Sequence, residues 1–297
     1  GDAIPTVLTM TVVPILGAGS SMADYRIGFK WWALIIAVVF VISELVCVAC
    51  VPERPVACNE KPGKISDMFK ALFKNDQAMT VVVSIILVYT SINICGNLVL
   101  YFFRFDVGNE GAYSIFAAVA FAAQVLVMMV IPLLRKKFSK SCLFISGFII
   151  QIVGFAVILI MAFAKLYTPQ SWYILCLPGI LIYLGYGMLN VIMTIFLSDS
   201  VDYGEVMNGT REESVIFSMQ TFTVKLASGV AVFLAGLVVD WIHLDIAAAV
   251  QTQDTLDALR MWMTIPSVIL LIVGIFVFKR FYKLDDARME EIKSKLN

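Results

Sequence analysis

A lysine, Lys225, stands in the middle of an otherwise apolar run, VIFSMQTFTVKLASGVAVFLAGLVV. If a helix begins at residue 214, Lys225 lies roughly 16 Å from that end, near the middle of a bilayer. Its stem of about 6 Å does not easily reach the membrane surface, and an isolated charge there costs roughly 2.5–3.5 kcal/mol. Two explanations are open. Lys225 either pairs with a carboxylate on another helix, or lines a water-filled cavity and faces a substrate or coupling ion.

Polar neighbours of Lys225 favour the cavity. Thr221 lies four residues before Lys225, and therefore on the same helix face, with Gln220 beside it. Ser218 and Ser228 extend this polar stripe. Amide, hydroxyl and ammonium groups together donate and accept hydrogen bonds, which suits a polyhydroxylated or anionic small molecule. Alternatively, the same groups join helices, at roughly 0.6 kcal/mol per hydrogen bond.

A second polar stripe lies in VYTSINICGNLVLYFF, where Tyr89, Asn93, Asn97 and Tyr101 recur at every fourth residue. Residues at this spacing share one helix face. We predict that this face is turned from lipid, towards either the cavity or a neighbouring helix. Asn190, in GMLNVIMTIF, lies about two turns before the end of its own run and is a further candidate for the same pathway.

Charged residues at one helix end suggest a gate. Asp199 and Asp202 directly follow an apolar run and are three residues apart, so they share a helix face. Lys140 and Arg211 are basic residues with which these carboxylates could pair. Ion pairs that form in one state and break in another would close and open a passage.

The whole chain has the composition of a membrane protein. Its 297 residues are 60% hydrophobic and 15% charged, with a mean hydropathy of +0.90, whereas soluble domains are typically about 25% charged. The apolar residues form runs of about twenty, the length that crosses a bilayer as a helix. We predict an all-α polytopic membrane protein with one partial span, 3–18, and seven full spans, 28–51, 79–104, 111–134, 141–164, 171–198, 214–242 and 261–281.

Several classes of function find no support in the sequence. A net charge of zero gives no reason to expect a nucleic-acid partner. There is one histidine, His243, the cysteines are scattered, and no HExxH motif occurs, so no metal site or catalytic constellation is visible. We therefore expect neither an enzyme nor a cofactor-binding protein, and no obligate protein partner.

The positions of lysine and arginine predict the orientation. Alternate loops carry sixteen basic residues on one side and five on the other. By the positive-inside rule, loops 52–78, 135–140 and 199–213 and the C-terminus are cytoplasmic, in what we expect to be a bacterial inner membrane. Within ISDMFKALFKN, apolar residues at i, i+3, i+4, i+7 and i+8 predict a short amphipathic helix over 65–75.

This linker divides the chain into predicted domains. Residues 1–51 are interpreted as the remnant of an N-terminal six-helix bundle, 52–78 as a cytoplasmic linker, 79–283 as a C-terminal six-helix bundle, and 284–297 as a cytoplasmic tail. If the protein has two equal halves, about four helices precede the sequence.

Five segments carry a family resemblance. The segments SDSVDYGE, REES and FSMQTFTVK, together with DMFKALFKN and FKRFYKLD, resemble the glycoside–pentoside–hexuronide:cation symporters of the major facilitator superfamily. The resemblance covers essentially the whole chain in span order. It implies a twelve-helix carrier in two bundles, with this chain truncated at its N-terminus and holding helices 5 to 12.

The resemblance also implies roles for single residues. Gln220, Thr221 and Lys225 would face a sugar site in helix 11. The cytoplasmic charge network that closes the inner mouth would comprise Asp199, Asp202 and Arg211, with Lys140 as the basic partner. Where the melibiose carrier of this family has a sugar-stacking tryptophan in helix 10, this chain has Asn190, a departure that argues against carrying over galactoside specificity.

The expected function is cation-coupled symport of a sugar or glycoside by alternating access. The coupling cation would be Na⁺ or H⁺, and the family's cation site lies in helices 1 to 4, outside this chain. Two alternatives remain open. One is a carrier of another small solute, such as a sulfonate, an organic acid or a lysolipid, and the other is a non-transporting membrane sensor.

Overall fold

Helices form every regular element that the structure describes. The computed structural model describes residues 9, 12–17, 22–50, 73–209, 213–246, 248 and 250–296. The main helices are α1 (Met22–Cys50), α2 (Asp76–Tyr101), α3 (Ala112–Leu134), α4 (Lys140–Phe163), α5 (Cys176–Asn208), α6 (Glu213–Trp241), α7 (Gln253–Phe281) and α8 (Asp286–Leu296). A π-helical turn, Phe102–Val107, continues α2, and a 3-10 turn, Trp172–Leu175, leads into α5.

Seven helices in the described part, α1 to α7, are long and apolar enough to cross a membrane. The predicted all-α polytopic fold is therefore confirmed. The predicted partial span at 3–18 falls largely outside the described residues, of which 12–17 are helical. The amphipathic helix predicted at 65–75 also lies outside them, except for Phe73 and Lys74, which are helical.

The chain divides into two compact units, residues 1–63 and 64–297. In the first unit, the helical residues 12–17 contact α1. Gly28 comes so close to Val13 that a Cβ at residue 28 would lie 2.1 Å from the Val13 carbonyl oxygen. Trp32 also donates a hydrogen bond from Nε1 to Thr9 Oγ1 over 2.8 Å.

The second unit is built around α2, which contacts α5, α6 and α7. Two thirds (67%) of the most apolar window of α2 is buried. Most of its buried residues are apolar, and some of its polar side chains also bind groups on these helices. Ser91 and Ser267, for example, exchange hydrogen bonds with each other's backbone carbonyl between α2 and α7, over 3.2 and 2.9 Å.

The start of α2 is fixed to the end of α5 by one side chain. Asn75 caps α2 by accepting a hydrogen bond from the Ala78 backbone N–H over 2.9 Å, which satisfies a donor that the helix itself leaves unpaired. The Asn75 amide donates to the Ser200 carbonyl over 2.8 Å. Both bonds are buried, so Asn75 also fixes the position of α2 along the axis of α5.

The predicted loop at 199–213 is wrong, because α5 continues to Asn208. Gly209 ends the helix in the left-handed conformation, with φ of 73°, which glycine adopts without steric penalty. Hydropathy marked only the apolar part of this helix. Its last turns carry Asp199, Asp202 and Glu205, so these carboxylates lie on a helix rather than in a loop.

The predicted start of the last span, at residue 261, is also wrong. α7 begins at Gln253, where Thr252 caps it by accepting from the Thr255 backbone N–H over 3.3 Å. Asp254 in the first turn favours a helix start at this point through the helix dipole. The first two turns are too polar to count as an apolar run, although they place Arg260 inside the bundle.

Glycines allow α4 and α5 to approach closely. A Cβ at Gly185 would lie 2.5 Å from the Gly147 carbonyl oxygen, and a Cβ at Gly154 would lie 2.7 Å from a side-chain carbon of Ile182. Small residues at such contacts are typical of packed membrane helices.

The last helix, α8, packs on the end of α5. Leu284, Met289 and Ile292 form a small buried cluster against Tyr203 and Tyr282. The predicted tail, 284–297, thus contains a helix that is attached to the bundle.

Candidate functional site

A chain of hydrogen bonds joins α2, α5 and α6 at the polar stripe of α2. Asn190 Nδ2 donates to the Tyr89 hydroxyl oxygen over 2.8 Å. Asn93 Nδ2 donates to the Tyr89 carbonyl over 2.7 Å, and Ser228 donates to Asn93 Oδ1 over 3.4 Å. The half of the stripe that holds Tyr89 and Asn93 therefore faces neighbouring helices.

The other half of the stripe faces an opening. Asn97 and Tyr101 line a cavity of about 540 Å³ between α2 and α6. Asn97 Nδ2 donates to the Asn93 carbonyl over 2.7 Å, which connects this cavity to the hydrogen-bonded chain. The sequence left open whether the stripe faces a cavity or a helix, and the structure divides it between the two.

Lys225 lies on the exposed face of α6. The opposite face, which carries Thr223, Ala227 and Ala231, is buried, and α6 packs mainly on α2. Within the described ranges, no ion pair or hydrogen bond holds the Lys225 ammonium group. The described residues thus offer no carboxylate for the ion-pair explanation.

Gln220 and Thr221 share the open side of α6. Thr221 is exposed, and its hydroxyl donates to the Phe217 carbonyl over 3.3 Å. Gln220 is half-buried. The predicted substrate residues Lys225, Gln220 and Thr221 thus lie on one helix, whereas Asn190, Asn97 and Tyr101 lie on the two helices beside it.

A buried ion pair joins the start of α4 to the part of α5 that directly follows its apolar residues. The Lys140 ammonium group contacts the Asp199 carboxylate, and both residues are 5% exposed. Asp286 at the start of α8 adds a second carboxylate 3.5 Å from Lys140 Nζ, and Arg135 lies 3.3 Å from Asp286. The predicted partners Lys140 and Asp199 are therefore in contact, and their role as a gate stays a prediction.

Two further members of the predicted gate are placed less fully. Asp202 follows Asp199 on the same helix and is half-buried, whereas Arg211 lies outside the described residues. Tyr282 closes the cluster on the side of α8. Burial raises the pKa of its hydroxyl, and the carboxylates of Asp199 and Asp286 raise it further.

A second buried charge cluster was not predicted from the sequence. Arg260, 3% exposed, holds Asp106 with two guanidinium nitrogens, one of them Nε at 2.8 Å, and Nη1 lies 2.7 Å from Asp257. Tyr167 donates to the same Asp106 carboxylate over 2.6 Å. Burial raises the pKa of the Tyr167 hydroxyl, and its bond to Asp106 raises it further. This cluster ties the π-helical end of α2 to α7 and to the segment before α5.

The two charge clusters lie at opposite ends of α2, because Asn75 and Ser200 bring the start of α2 beside Asp199 while Asp106 lies at its other end. The described residues contain no group of three or more histidine, cysteine, aspartate or glutamate side chains that could hold a metal ion.

The family model described as MFS/sugar transport protein matches residues 1–286. The chain belongs to this family. The MFS/sugar transport family consists of transport proteins rather than enzymes. Together with the seven candidate spans, membership makes this chain an integral multi-pass membrane protein.

Named relatives of this MFS/sugar transport chain include carriers of different sugars. The isoprimeverose transporter of Lactiplantibacillus pentosus is 26% identical over 96% of this chain and 58% of its own length. The raffinose carrier protein of Pediococcus pentosaceus is 24% identical over 100% and 46%. A putative sulfoquinovose importer of Escherichia coli is 22% identical over 98% and 61%. The chain thus spans about half to three fifths of the length of these relatives.

Proposed function

We propose that this chain is the C-terminal portion of a secondary transporter that moves a sugar or glycoside by alternating access. The observation that carries the proposal is Lys225. Its ammonium group lies near the middle of a spanning helix, on an exposed face, with no partner among the described residues. A charge at this depth needs an opposite charge, water or a solute, and the family and the named relatives point to sugars.

The proposed site uses both polar faces. Lys225, Gln220 and Thr221 on α6 supply a cation and hydrogen-bonding groups, and Asn190 on α5 adds an amide that is held in place by Tyr89. Sites between bundles near the middle of the membrane are the rule in such carriers. Within residues 64–297, the substrate would thus be bound by side chains of α5 and α6.

Coupling and orientation belong to the same proposal. The transporter uses Na⁺ or H⁺, held by helices that precede this chain in a twelve-helix carrier. It lies in a bacterial inner membrane with its C-terminus in the cytoplasm, as the sixteen-to-five distribution of basic residues favours. The Lys140–Asp199 pair, with Asp202 and Arg211, then lies at the cytoplasmic mouth, where breaking the pair opens the site inward.

An anionic sugar is the second candidate substrate. The ammonium group of Lys225, which has no ion-pair partner among the described residues, favours a ligand with a negative charge, and one relative is named as a putative sulfoquinovose importer. We therefore expect uptake of an anionic glycoside to depend more strongly on Lys225 than uptake of a neutral one.

Uptake measurements test the proposal. The full-length carrier would be reconstituted in vesicles, and uptake of labelled neutral glycosides and sulfonated sugars measured with and without a sodium gradient and with and without a proton gradient. We expect uptake of one class, driven by one gradient. Failure to accumulate any sugar, in a protein that is correctly inserted, would overturn the proposed function.

A further inference from the structure

The cavity between α2 and α6 has the size and composition of a binding site. Its volume of about 540 Å³ falls within the range of roughly 300–1,000 Å³ that is typical of small-molecule pockets. Asn97 and Tyr101 line it from α2, and Gly236 and Asp240 line it from α6. The space at Gly236 is open, since a Cβ at that position would meet no atom within 4 Å.

Asp240 has no evident role in stabilising its own helix. It lies in the last turn of α6, where the helix dipole disfavours a negative charge by about 0.3–1 kcal/mol. The side chain is exposed, and its carboxylate forms no hydrogen bond or ion pair with the described residues. The Arg104 guanidinium group lies 3.8 Å from Glu110 and donates to the Ile246 carbonyl over 3.2 Å.

The groups that line the cavity suit a neutral polyhydroxylated ligand. A carboxylate accepts strong hydrogen bonds from hydroxyl groups. Asn97 uses its amide N–H on Asn93, which leaves its carbonyl oxygen as a further acceptor. The ring of Tyr101 offers an apolar face with a polar tip. Among the described lining residues, Asp240 carries the one formal charge, so an anionic ligand is repelled.

The cavity lies along the same side of α6 as Lys225. Asp240 is fifteen residues further along the helix, which corresponds to roughly 22 Å and to a rotation of only about 60°. Gly229 and Gly236 lie between them, and a Cβ at either position would meet no atom within 4 Å. An open side of one helix thus connects the two polar positions.

We propose that this cavity is an outer subsite that binds a neutral glycoside through Asp240, Asn97 and Tyr101 before the ligand reaches Lys225. The inference rests on the proposed function and deepens it. It assigns the first binding step, and a preference for uncharged ligands, to the cavity at Asp240. The carboxylate attracts hydroxyl donors and repels carboxylated or sulfonated sugars, and Lys225 then meets a ligand that has already been selected.

The test uses two probes of matched shape, p-nitrophenyl glucoside and p-nitrophenyl glucuronide, and the full-length carrier. Asp240→Asn keeps the shape of the side chain and removes its charge. We expect this variant to raise the KM for the neutral probe about tenfold, the loss that corresponds to about 1.4 kcal/mol, with little change in the maximal rate. The preference for the neutral probe over the anionic one should fall at the same time.

Two further variants make the result specific. Gly236→Leu narrows the cavity and leaves the Asp240 carboxylate in place, and since the position is open the variant should insert normally and also raise the KM. Asp254→Asn, in the first turn of α7 and exposed, removes an equal charge outside the cavity and should leave both probes unaffected. The amount of inserted protein would be measured for each variant.

The possible failures are distinguishable. If the unmodified carrier takes up neither glucoside nor any other sugar, the proposed function and the subsite fall together. If the unmodified carrier transports the glucoside while Asp240→Asn and Gly236→Leu leave KM and charge preference unchanged, the subsite alone is overturned. A KM that rises equally for Asp254→Asn would show a general surface-charge effect and would also refute it.

Discussion

Lys140 at the first residue of α4 and Asp199 on α5 form a buried ion pair that has the carboxylate of Asp286 on its exposed side. The three groups come from three helices, α4, α5 and α8. Removing one member of a buried pair leaves an uncompensated charge, at a cost of about 3–5 kcal/mol. The pair therefore favours the arrangement in which these helix ends are together.

Asp199→Asn is expected to shift the carrier towards the state that is open on this side, because the amide no longer balances Lys140. The measurement is the reaction rate of cysteines introduced near Tyr203 with a membrane-impermeant maleimide. Asp286→Asn is the comparison variant: its side chain is 45% exposed, so water screens its charge and a smaller shift is expected. Equal labelling rates for both variants and the unmodified protein would contradict the gate.

Lys225→Ala is expected to abolish coupled uptake and to leave the amount of inserted protein unchanged. The side chain is exposed and forms no hydrogen bond or ion pair with the described residues, and loss of a charge at mid-membrane does not hinder insertion. Lys279→Ala, in the last turn of α7 and exposed, removes an equal charge and should transport normally. Normal uptake by Lys225→Ala would refute the assigned role.

Arg260→Met is expected to destabilise the bundle by about 3–5 kcal/mol, because Asp106 is left buried without its cation. Thermal unfolding of the purified protein in detergent, followed by intrinsic fluorescence, measures the loss. Arg104→Met serves as control, since its pair with Glu110 is 3.8 Å long and well exposed, and should change the free energy of unfolding by less than about 1 kcal/mol. An equal loss of unfolding free energy in both variants would contradict the assignment of a special stabilising role to the Arg260–Asp106 cluster.

The raised pKa of the Tyr167 hydroxyl predicts that the free energy of unfolding falls at alkaline pH. Its pKa in the folded protein lies above the ordinary value, so the folded state holds the proton more tightly than the unfolded state does. The stabilisation is present below about pH 10 and is lost as the pH rises above that value. Tyr167→Phe should reduce the slope of stability against pH between about pH 10 and 12, whereas the exposed variant Tyr173→Phe should not. Identical slopes would contradict the prediction.

The spans and the lysine could be predicted from the sequence because both depend on local composition. Apolar runs of about twenty residues identify the membrane-crossing part of each helix, and a charge inside such a run is visible without a structure. The ends of α5 and α7 could not be found this way, since their polar turns extend beyond the apolar part. The signals that mark them, Gly209 and the cap Thr252, are local and were available in the sequence.

Contacts between distant residues could not be predicted by spacing. Asp106 and Arg260 are 154 residues apart, and neither belongs to a motif, so only the packing of α2 against α7 reveals the pair. Lys140 was named from its charge as one of two possible partners of Asp199, and the family resemblance implied the same partner, but spacing alone did not show the contact. For the stripe from Tyr89 to Tyr101, periodicity identified the face but not which half of it lies against α5 and α6.

The close contact of Gly147 with Gly185 has a mechanical consequence. Backbone atoms that already touch cannot slide past one another or turn without a clash. We therefore expect α4 and α5 to move together as one rigid body. Any conformational change during transport must then involve other helices. We expect α6 to move most easily, because it is held chiefly by α2.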